Sequence, residues 1–259
     1  MAMSTICAAP ISQDLMPSIA DFTKERPGLE INRKTAVTFG ALLIAALVCG
    51  VFSSVPAIDE ADYLSKLASI EPRLFAAVIF QAMMAIVYVA IAVITYPIVK
   101  VDSRTGALAY FAFRVTGAAF LFVGIVTLLL LLAASHQYSV ADAAHAASLE
   151  TAGGLIRQMR DWLNHIGMVL PWSIGGLFLY RSFLTTRVIP QWMSIWGLIA
   201  TTSTLVATVL YMLDRIQLVT ITYFALNIPT ALLELILAGY LITRGFRSVS
   251  FSSPRSLGH

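Results

Sequence analysis

Six long runs of apolar residues, separated by short polar segments, fill most of this chain. They cover residues 35–54, 74–99, 106–134, 155–180, 190–213 and 217–243. A helix needs roughly 20 mainly apolar residues to cross the hydrocarbon core of a bilayer, and each run reaches that length. The pattern therefore predicts an all-α integral membrane protein with six transmembrane helices, spans one to six.

Composition supports a membrane environment. Hydrophobic residues make up 58% of the 259 residues, charged residues 12%, and the mean hydropathy is +0.82. A soluble domain carries about 25% charged residues. The spans leave no room for a soluble catalytic domain, so we expect one membrane domain over residues 35–243. A polar N-terminal tail over residues 1–34 and a C-terminal tail over residues 244–259 flank it.

The distribution of Lys and Arg predicts the orientation. The two tails and the turns at residues 100–104 and 181–187 hold eleven basic residues, whereas the opposite loops mix fewer bases with most of the acids. Because basic loops stay in the cytoplasm, both termini are predicted to be cytoplasmic. The net charge of +3 is too thinly spread to predict a nucleic-acid partner.

Two opposite charges lie inside the spans at a similar depth. Arg114 in span three and Glu234 in span six are each roughly 12–14 Å from the predicted cytoplasmic ends of their helices, at about 1.5 Å per residue. A charge in the bilayer core costs at least about 2.5–3.5 kcal/mol, so we expect the two to pair. The pair is either a functional site or a structural link between helices. In an enzyme, Glu234 would be the acid/base and Arg114 would hold an anionic group.

A second polar cluster opens span four. Arg157, Asp161 and His165 are spaced i, i+4, i+8, which places them on one face of an α-helix. An Asp beside a His can orient the imidazole for acid/base work or metal binding, so Asp161 and His165 are the alternative catalytic pair. Asn164 lies in the same turn, and Gln81 in span two lies at a similar depth. No HxxxH or HxxH spacing is present, so no metal ligands are assigned, and a polar helix entrance at the membrane interface is the other interpretation.

Two prolines inside spans predict kinks. Pro171 in span four and Pro229 in span six each remove a backbone hydrogen bond. A kink and a charge in the same span are typical of a helix that lines a cavity. The predicted ligand-binding residues are Arg114, Glu234, Asn227, Gln81, Asn164 and Trp172.

Small and hydroxylated residues predict close helix contacts. Ala36 and Gly40 are four residues apart in span one, and Gly175 and Gly176 are adjacent in span four. The Thr/Ser run at residues 201–204 in span five is expected to join helices by hydrogen bonds.

Three segments together resemble a known family. Residues 180–193 (YRSFLTTRVIPQWM), residues 234–246 (ELILAGYLITRGF) and the Phe113-Arg114 pair are similar to motifs of the bacterial membrane family filed as domain of unknown function 4386. The likeness covers residues 34–246. The resemblance implies a six-span protein of the bacterial inner membrane and supplies no reaction or cofactor.

Three functional hypotheses remain open at this point. The first is a non-enzymatic protein that binds or moves a small amphiphile or lipid in a cavity of the helix bundle. The second is an intramembrane enzyme acting on a lipid-like substrate, and the third is a membrane scaffold or partner subunit. The expected partners are membrane lipid and a small hydrophobic ligand, with a homo-oligomer left open.

Overall fold

The computed structural model describes residues 32–218 and 220–247, and within them every regular element is helical. The predicted tails lie outside the described residues, apart from residues 32–34 and 244–247. The helices are α1 Arg33–Ser53, α2 Tyr63–Leu67, α3 Glu71–Asp102, α4 Arg104–Tyr138, α5 Ala143–Trp162, α6 Leu170–Thr186, α7 Gln191–Met212 and α8 Ile221–Thr243. Short 3₁₀ turns at Pro56–Asp59 and Ala68–Ile70 flank α2, and a π-helical segment, Leu163–Val169, joins α5 to α6.

The prediction of an all-α membrane protein is confirmed. Five helical stretches in the described part are long and apolar enough to cross a membrane: Arg33–Ser53, Tyr63–Asp102, Arg104–Tyr138, Gln191–Met212 and Ile221–Thr243. The remaining predicted span, residues 155–180, lies in the helical run formed by α5, the π-helical segment and α6. Since α6 itself has only 17 residues, the count of six spans stays a prediction.

The long helices pack in the order in which they occur in the chain. The contacts run from α1 to α3, α4, α6, α7 and α8, and α8 returns to α1, while α3 also touches α6. Short connections make successive helices antiparallel. One end of the bundle therefore holds Arg33, the α3–α4 turn, the α6–α7 turn and Arg244, and we call it the terminal end. The other end holds α2, the α4–α5 turn and the α7–α8 loop, and we call it the distal end.

Three phenylalanines close the ring at the terminal end. Phe39 of α1 stacks on Phe246 with ring centroids 6.3 Å apart, and Phe183 of α6 meets Phe246 at 6.2 Å. Phe246 reaches this position because Gly245 takes a positive φ of 76° and ends α8. The N–H of Gly245 donates to the carbonyl of Leu241 at 3.1 Å, the hydrogen bond of a left-handed helix cap.

Hydrogen bonds reinforce the same end. Arg33 of α1 donates to the carbonyls of Ile242 and Thr243, at 3.0 and 3.1 Å, which have no partners within their own helix. The N–H of Arg247 donates to the carbonyl of Val188 at 2.8 Å. The end of α8 is therefore held by both α1 and the α6–α7 turn.

Close helix contacts at the predicted small residues are confirmed. A Cβ on Gly40 would lie 2.8 Å from the carbonyl oxygen of Ala238 in α8, and one on Gly176 would lie 3.0 Å from the Thr201 side chain in α7. The Thr/Ser run also joins helices as expected, since Thr204 shares a hydrogen bond of 2.8 Å with Thr230 of α8.

The position of residues 135–154 between two predicted spans predicts a long Ala-rich loop after α4, but this segment is mostly helical. It is helical up to Tyr138 and again from Ala143, so only a four-residue turn remains. Alanine has the highest helix propensity, and Asp142 caps the start of α5 by accepting the N–H of His145 at 2.9 Å. Composition at this point favoured helix over loop.

The sequence of residues 59–67 predicts a short amphipathic helix on the membrane surface. It forms α2, but Leu64 and Leu67 are buried in a cluster with Leu128 and Leu131 of α4. Ser135 of α4 donates its hydroxyl to the Leu64 carbonyl at 2.5 Å. The apolar face of α2 therefore covers the distal end of the bundle instead of facing a membrane surface.

Candidate functional site

Arg114 is buried in the bundle beside aromatic rings. Its side chain is 5% exposed, and the guanidinium carbon lies 4.5 Å from the ring centroid of Trp172 and 5.5 Å from that of Tyr110. Gly175 makes room for it, since a Cβ there would lie 3.3 Å from Cγ of Arg114. The Nε of Arg114 has no hydrogen-bond partner among the described residues. Cation–π stacking on Trp172 is therefore its main polar contact.

Glu234 lines an open cavity of about 180 Å³ formed by α3, the π-helical segment, α6, α7 and α8. The side chain is 9% exposed. We call this cavity the Glu234 chamber. Its other lining residues are Tyr88, Met168, Val169, Trp172, Thr204, Asn227, Thr230 and Ala231. Of the predicted ligand-binding residues, Glu234, Asn227 and Trp172 are thus brought together here.

Arg114 and Glu234 do not form the expected ion pair within 4.0 Å, although Arg114 acts electrostatically on the Glu234 carboxyl group. Within the described part of the chain the ion pairs join Lys66 to Glu60 and Asp62, His136 to Glu71, and His145 to Asp142. Arg114 and Glu234 are on helices that are not neighbours in the ring, since α4 packs on α3 and α6 while α8 packs on α7 and α1. Trp172 is near both, because its ring stacks on Arg114 and the residue also lines the Glu234 chamber.

Side-chain donors surround Pro229 in α8. The Asn227 amide donates to the Tyr223 carbonyl at 2.8 Å, and the Ser203 hydroxyl of α7 donates to the Leu226 carbonyl at 2.8 Å. Pro229 has no N–H to donate to the carbonyl of Ala225, so the helical ladder is interrupted between the two carbonyls that accept these side-chain hydrogen bonds. Pro171, the second predicted kink, directly follows the π-helical segment, where the backbone ladder is already irregular.

A second cavity, of about 360 Å³, lies nearer the distal end and is called the distal chamber. It contains the predicted residues Gln81 and Asn164. Gln81 donates to the Leu121 carbonyl at 2.8 Å and fits because Gly124 has no Cβ. The other lining residues are Gly50, Ser53, Ser54, Met84, Tyr88, Phe120, Leu121, Gly124, Arg160 and Met168. Tyr88 and Met168 line both chambers, so the chambers are neighbours that share these side chains as a wall.

The structure does not form the predicted pair of Asp161 and His165. His165 is 2% exposed and packs against the rings of Tyr211 and Tyr223, at 4.5 and 5.6 Å. Its Nδ1 has no hydrogen-bond partner among the described residues. The π-helical segment begins at Leu163, between the two residues, and the i, i+4 spacing of an α-helix does not hold across it.

Arg157, the first member of that predicted face, points elsewhere. Its guanidinium stacks on the Tyr63 ring at 5.0 Å and donates to the Ile58 carbonyl at 3.4 Å. No group of three or more His, Cys, Asp or Glu in the described residues is arranged to hold a metal ion.

Several lining residues were not singled out from the sequence. Tyr88 and Met168 resemble any other apolar residue of a span, and Thr204 was interpreted only as a helix contact. The sequence carries no signal for the first two, because which face of a uniformly apolar helix turns inward depends on its neighbours. Thr204 and Thr230 carry a weak signal, as hydroxyls opposite each other near a proline.

Comparison with known proteins gives one result. A search of curated proteins and a search of solved structures gave no match. The sequence model of one family, described as a domain of unknown function (DUF4386), matches residues 38–245. That range contains Arg114, Glu234 and both chambers, and it includes the segments at residues 180–193 and nearly all of 234–246 that suggested the family. The chain therefore belongs to the DUF4386 family.

Proposed function

We propose that this protein binds or moves a small amphiphile or lipid inside its helix bundle, with Glu234 as the polar contact for the ligand. One observation carries the proposal: Glu234 is 9% exposed, faces a cavity and has no ion-pair partner among the described residues. Charged residues at membrane depth pair with one another or line a cavity that supplies the missing partner. A ligand group, a proton or water in the chamber is that partner.

The chamber lining supports a ligand of mixed character. Tyr88 and Trp172 offer aromatic faces, and Thr204, Thr230 and Asn227 offer hydrogen-bonding groups. A mainly apolar wall with a few convergent polar groups is typical of small-molecule sites. At about 180 Å³ the chamber is smaller than a drug-sized pocket of roughly 300–1,000 Å³, so it fits the polar end of an amphiphile and not a whole phospholipid.

Arg114 acts on this site through Trp172. Stacking of the guanidinium on the indole fixes the ring that forms one wall of the chamber. Arg114→Lys removes the planar group and is expected to weaken ligand binding several-fold, because a lysine stacks less well than an arginine. Arg114→Met removes the charge as well.

Native mass spectrometry of the gently purified protein, with lipid extraction of the same sample, tests the proposal. The wild type is expected to carry one defined molecule per chain, and Glu234→Gln to lose it at least about tenfold, since a hydrogen bond to a charged group contributes about 1.5–3 kcal/mol. Glu150→Gln is the matched control, because Glu150 is an exposed carboxylate of α5 that lines neither chamber. A folded Arg114→Met, Glu234→Leu double variant that keeps full binding overturns the site. A wild type with only bulk lipid favours the scaffold hypothesis.

The same observation favours one alternative, an intramembrane enzyme that acts on a lipid-like substrate. A buried carboxylate with no fixed partner is a candidate acid/base. In that case Glu234→Gln retains the bound substrate but loses turnover, whereas a binding protein loses occupancy.

The proposed location is the bacterial inner membrane, with the terminal end in the cytoplasm. Arg33, Lys100, Arg104 and Arg244 are at that end, which fits the preference of basic residues for the cytoplasmic side. In a background with Cys7 and Cys49 replaced by Ser, a membrane-impermeant thiol reagent is expected to label Ser139→Cys in intact cells and not Ser103→Cys. Labelling of Ser103→Cys alone would mean that the terminal end faces outward and would contradict the proposed orientation.

A further inference from the structure

We propose that the distal chamber is a second site, which takes an anionic head group carried on an apolar chain and holds it through Arg160. This goes beyond the function proposed for Glu234, since neither Glu234 nor Arg114 lines this chamber.

Arg160 supplies the positive charge in the lining of the distal chamber. It lies in the last turn of α5 and lines the distal chamber, and its Nε is buried without a hydrogen-bond partner among the described residues. It forms no ion pair there either. An arginine carries five N–H donors in a fixed planar fork, and leaving a buried one such as the Nε–H without a partner is costly. The chamber beside it is where a partner fits.

A neighbouring arginine shows the contrast. Arg157, one turn earlier, stacks on Tyr63 and donates to the Ile58 carbonyl, so its guanidinium has partners within the protein. It lines neither chamber. The two residues have the same chemistry and are both half-buried, and only Arg160 lines a chamber.

The charge of the chamber lining indicates the charge of the ligand. Arg160 is the only charged residue in the lining of the distal chamber within the part of the chain that the structure describes. The carboxylates of Asp161 and Asp59 act on it electrostatically, but neither lies within the 4.0 Å of an ion pair. A planar guanidinium matches carboxylate and phosphate oxygens in a bidentate geometry, so the favoured ligand group is one of these anions.

The composition of the lining indicates that the ligand also carries an apolar chain. Ser53, Ser54 and Asn164 accompany Arg160 on the polar part of the wall, whereas Met84, Phe120 and Leu121 form an apolar part. The volume of about 360 Å³ lies within the range of roughly 300–1,000 Å³ that is usual for small-molecule sites. An anion at Arg160 would therefore direct an attached chain along the apolar wall, toward Tyr88 and Met168.

Binding measurements on the full chain in a non-ionic detergent test the site. The probes are dodecyl phosphate, inorganic phosphate and dodecyltrimethylammonium, which separate the anion from the chain. Dodecyl phosphate is expected to bind, Arg160→Gln to weaken it at least about tenfold and Arg160→Lys to weaken it less, because a charged hydrogen bond is lost in the first and kept in part in the second. Arg157→Gln, the matched control, is expected to leave binding unchanged, and so is Glu234→Gln.

The other outcomes would overturn the site or one part of the proposal. Equal binding of dodecyltrimethylammonium, or full binding of dodecyl phosphate by folded Arg160→Gln, overturns the site. Inorganic phosphate binding as tightly as dodecyl phosphate overturns the apolar part and makes a free anion the ligand. If Arg160→Gln does not fold, Gly50→Leu serves instead: Gly50 lines the same chamber, where a Cβ would lie 3.6 Å from Sδ of Met84, and unchanged binding in that variant counts against the chamber. Because Glu234→Gln is measured with the same probe, failure of this site and failure of the Glu234 site are distinguishable.

Discussion

The terminal end of the bundle is closely packed, whereas its centre and its distal half contain cavities. At the terminal end, Phe39, Phe183 and Phe246 meet one another and Gly40 lets α1 and α8 approach closely. Nearer the distal end, the same helices leave chambers of about 180 and 360 Å³. The first region fixes the arrangement of the helices, and the second leaves space that a ligand can enter.

The segments that identify the family fall mainly in the closely packed region. Residues 180–193 and 234–246 contact each other through Phe183 and Phe246, and through the hydrogen bond from Arg247 to Val188 nearby. Glu234, the first residue of the second segment, is the one residue of these segments in the described chain that lines a chamber. A family motif can thus report how a bundle is assembled and say little about what it binds.

The largest expected difference between the two regions comes from a pair of methionines. Met193→Ala is expected to destabilise the protein by about 3 kcal/mol, since Met193 is 1% exposed at the terminal end and its removal leaves a new cavity. Met168→Ala is expected to cost only about 1 kcal/mol, because Met168 already borders empty space on two sides. Thermal unfolding of both variants in one detergent measures the difference. Equal losses would mean that the chambers are packed in solution.

A pair of glycines in neighbouring helices gives the next effect. Gly40→Ala is expected to cost about 2 kcal/mol by overpacking, because its Cβ would lie 2.8 Å from both the Ala238 carbonyl oxygen and Cγ1 of Ile242. Gly239→Ala, with nothing within 4 Å of its Cβ, is expected to be neutral or slightly stabilising. The midpoints of thermal unfolding compare them, and a neutral Gly40→Ala would argue against close α1–α8 contact.

The smallest effect is expected at the exposed start of α5. The backbone N–H of His145 holds the pKa of Asp142 below its ordinary value. The cap therefore contributes stability above the ordinary pKa of aspartate, about 4, and loses it as the pH falls through the lower folded-state pKa. Asp142→Ala should speed amide hydrogen exchange in the first turn of α5 several-fold near neutral pH and leave both chambers unaffected. Slower exchange at pH 3 than at pH 7, after correction for the intrinsic rate, would contradict this sign.

Some site residues could be predicted from the sequence, but the contacts that they make could not. Glu234, Asn227 and Trp172 were found from charge, amide and proline neighbours, and the structure gathers them around one chamber. Arg114 was found too, but its partner was not, because equal depth in a membrane does not fix which helices are adjacent. His165 was assigned to the wrong neighbour because the spacing argument assumes a regular α-helix, and the segment Leu163–Val169 is π-helical.

The sequence by itself determined the features that depend on local composition. Long apolar runs specify membrane helices, polar and basic breaks separate them, and glycines such as Gly40 and Gly176 mark close contacts. Only the tertiary structure decided that α8 closes the ring against α1, that Arg114 stacks on Trp172, and that Tyr88 and Met168 line both chambers. In a lipid environment, apolar residues are favourable on every face of a helix. The inward face is therefore set by packing between helices, which no single segment encodes.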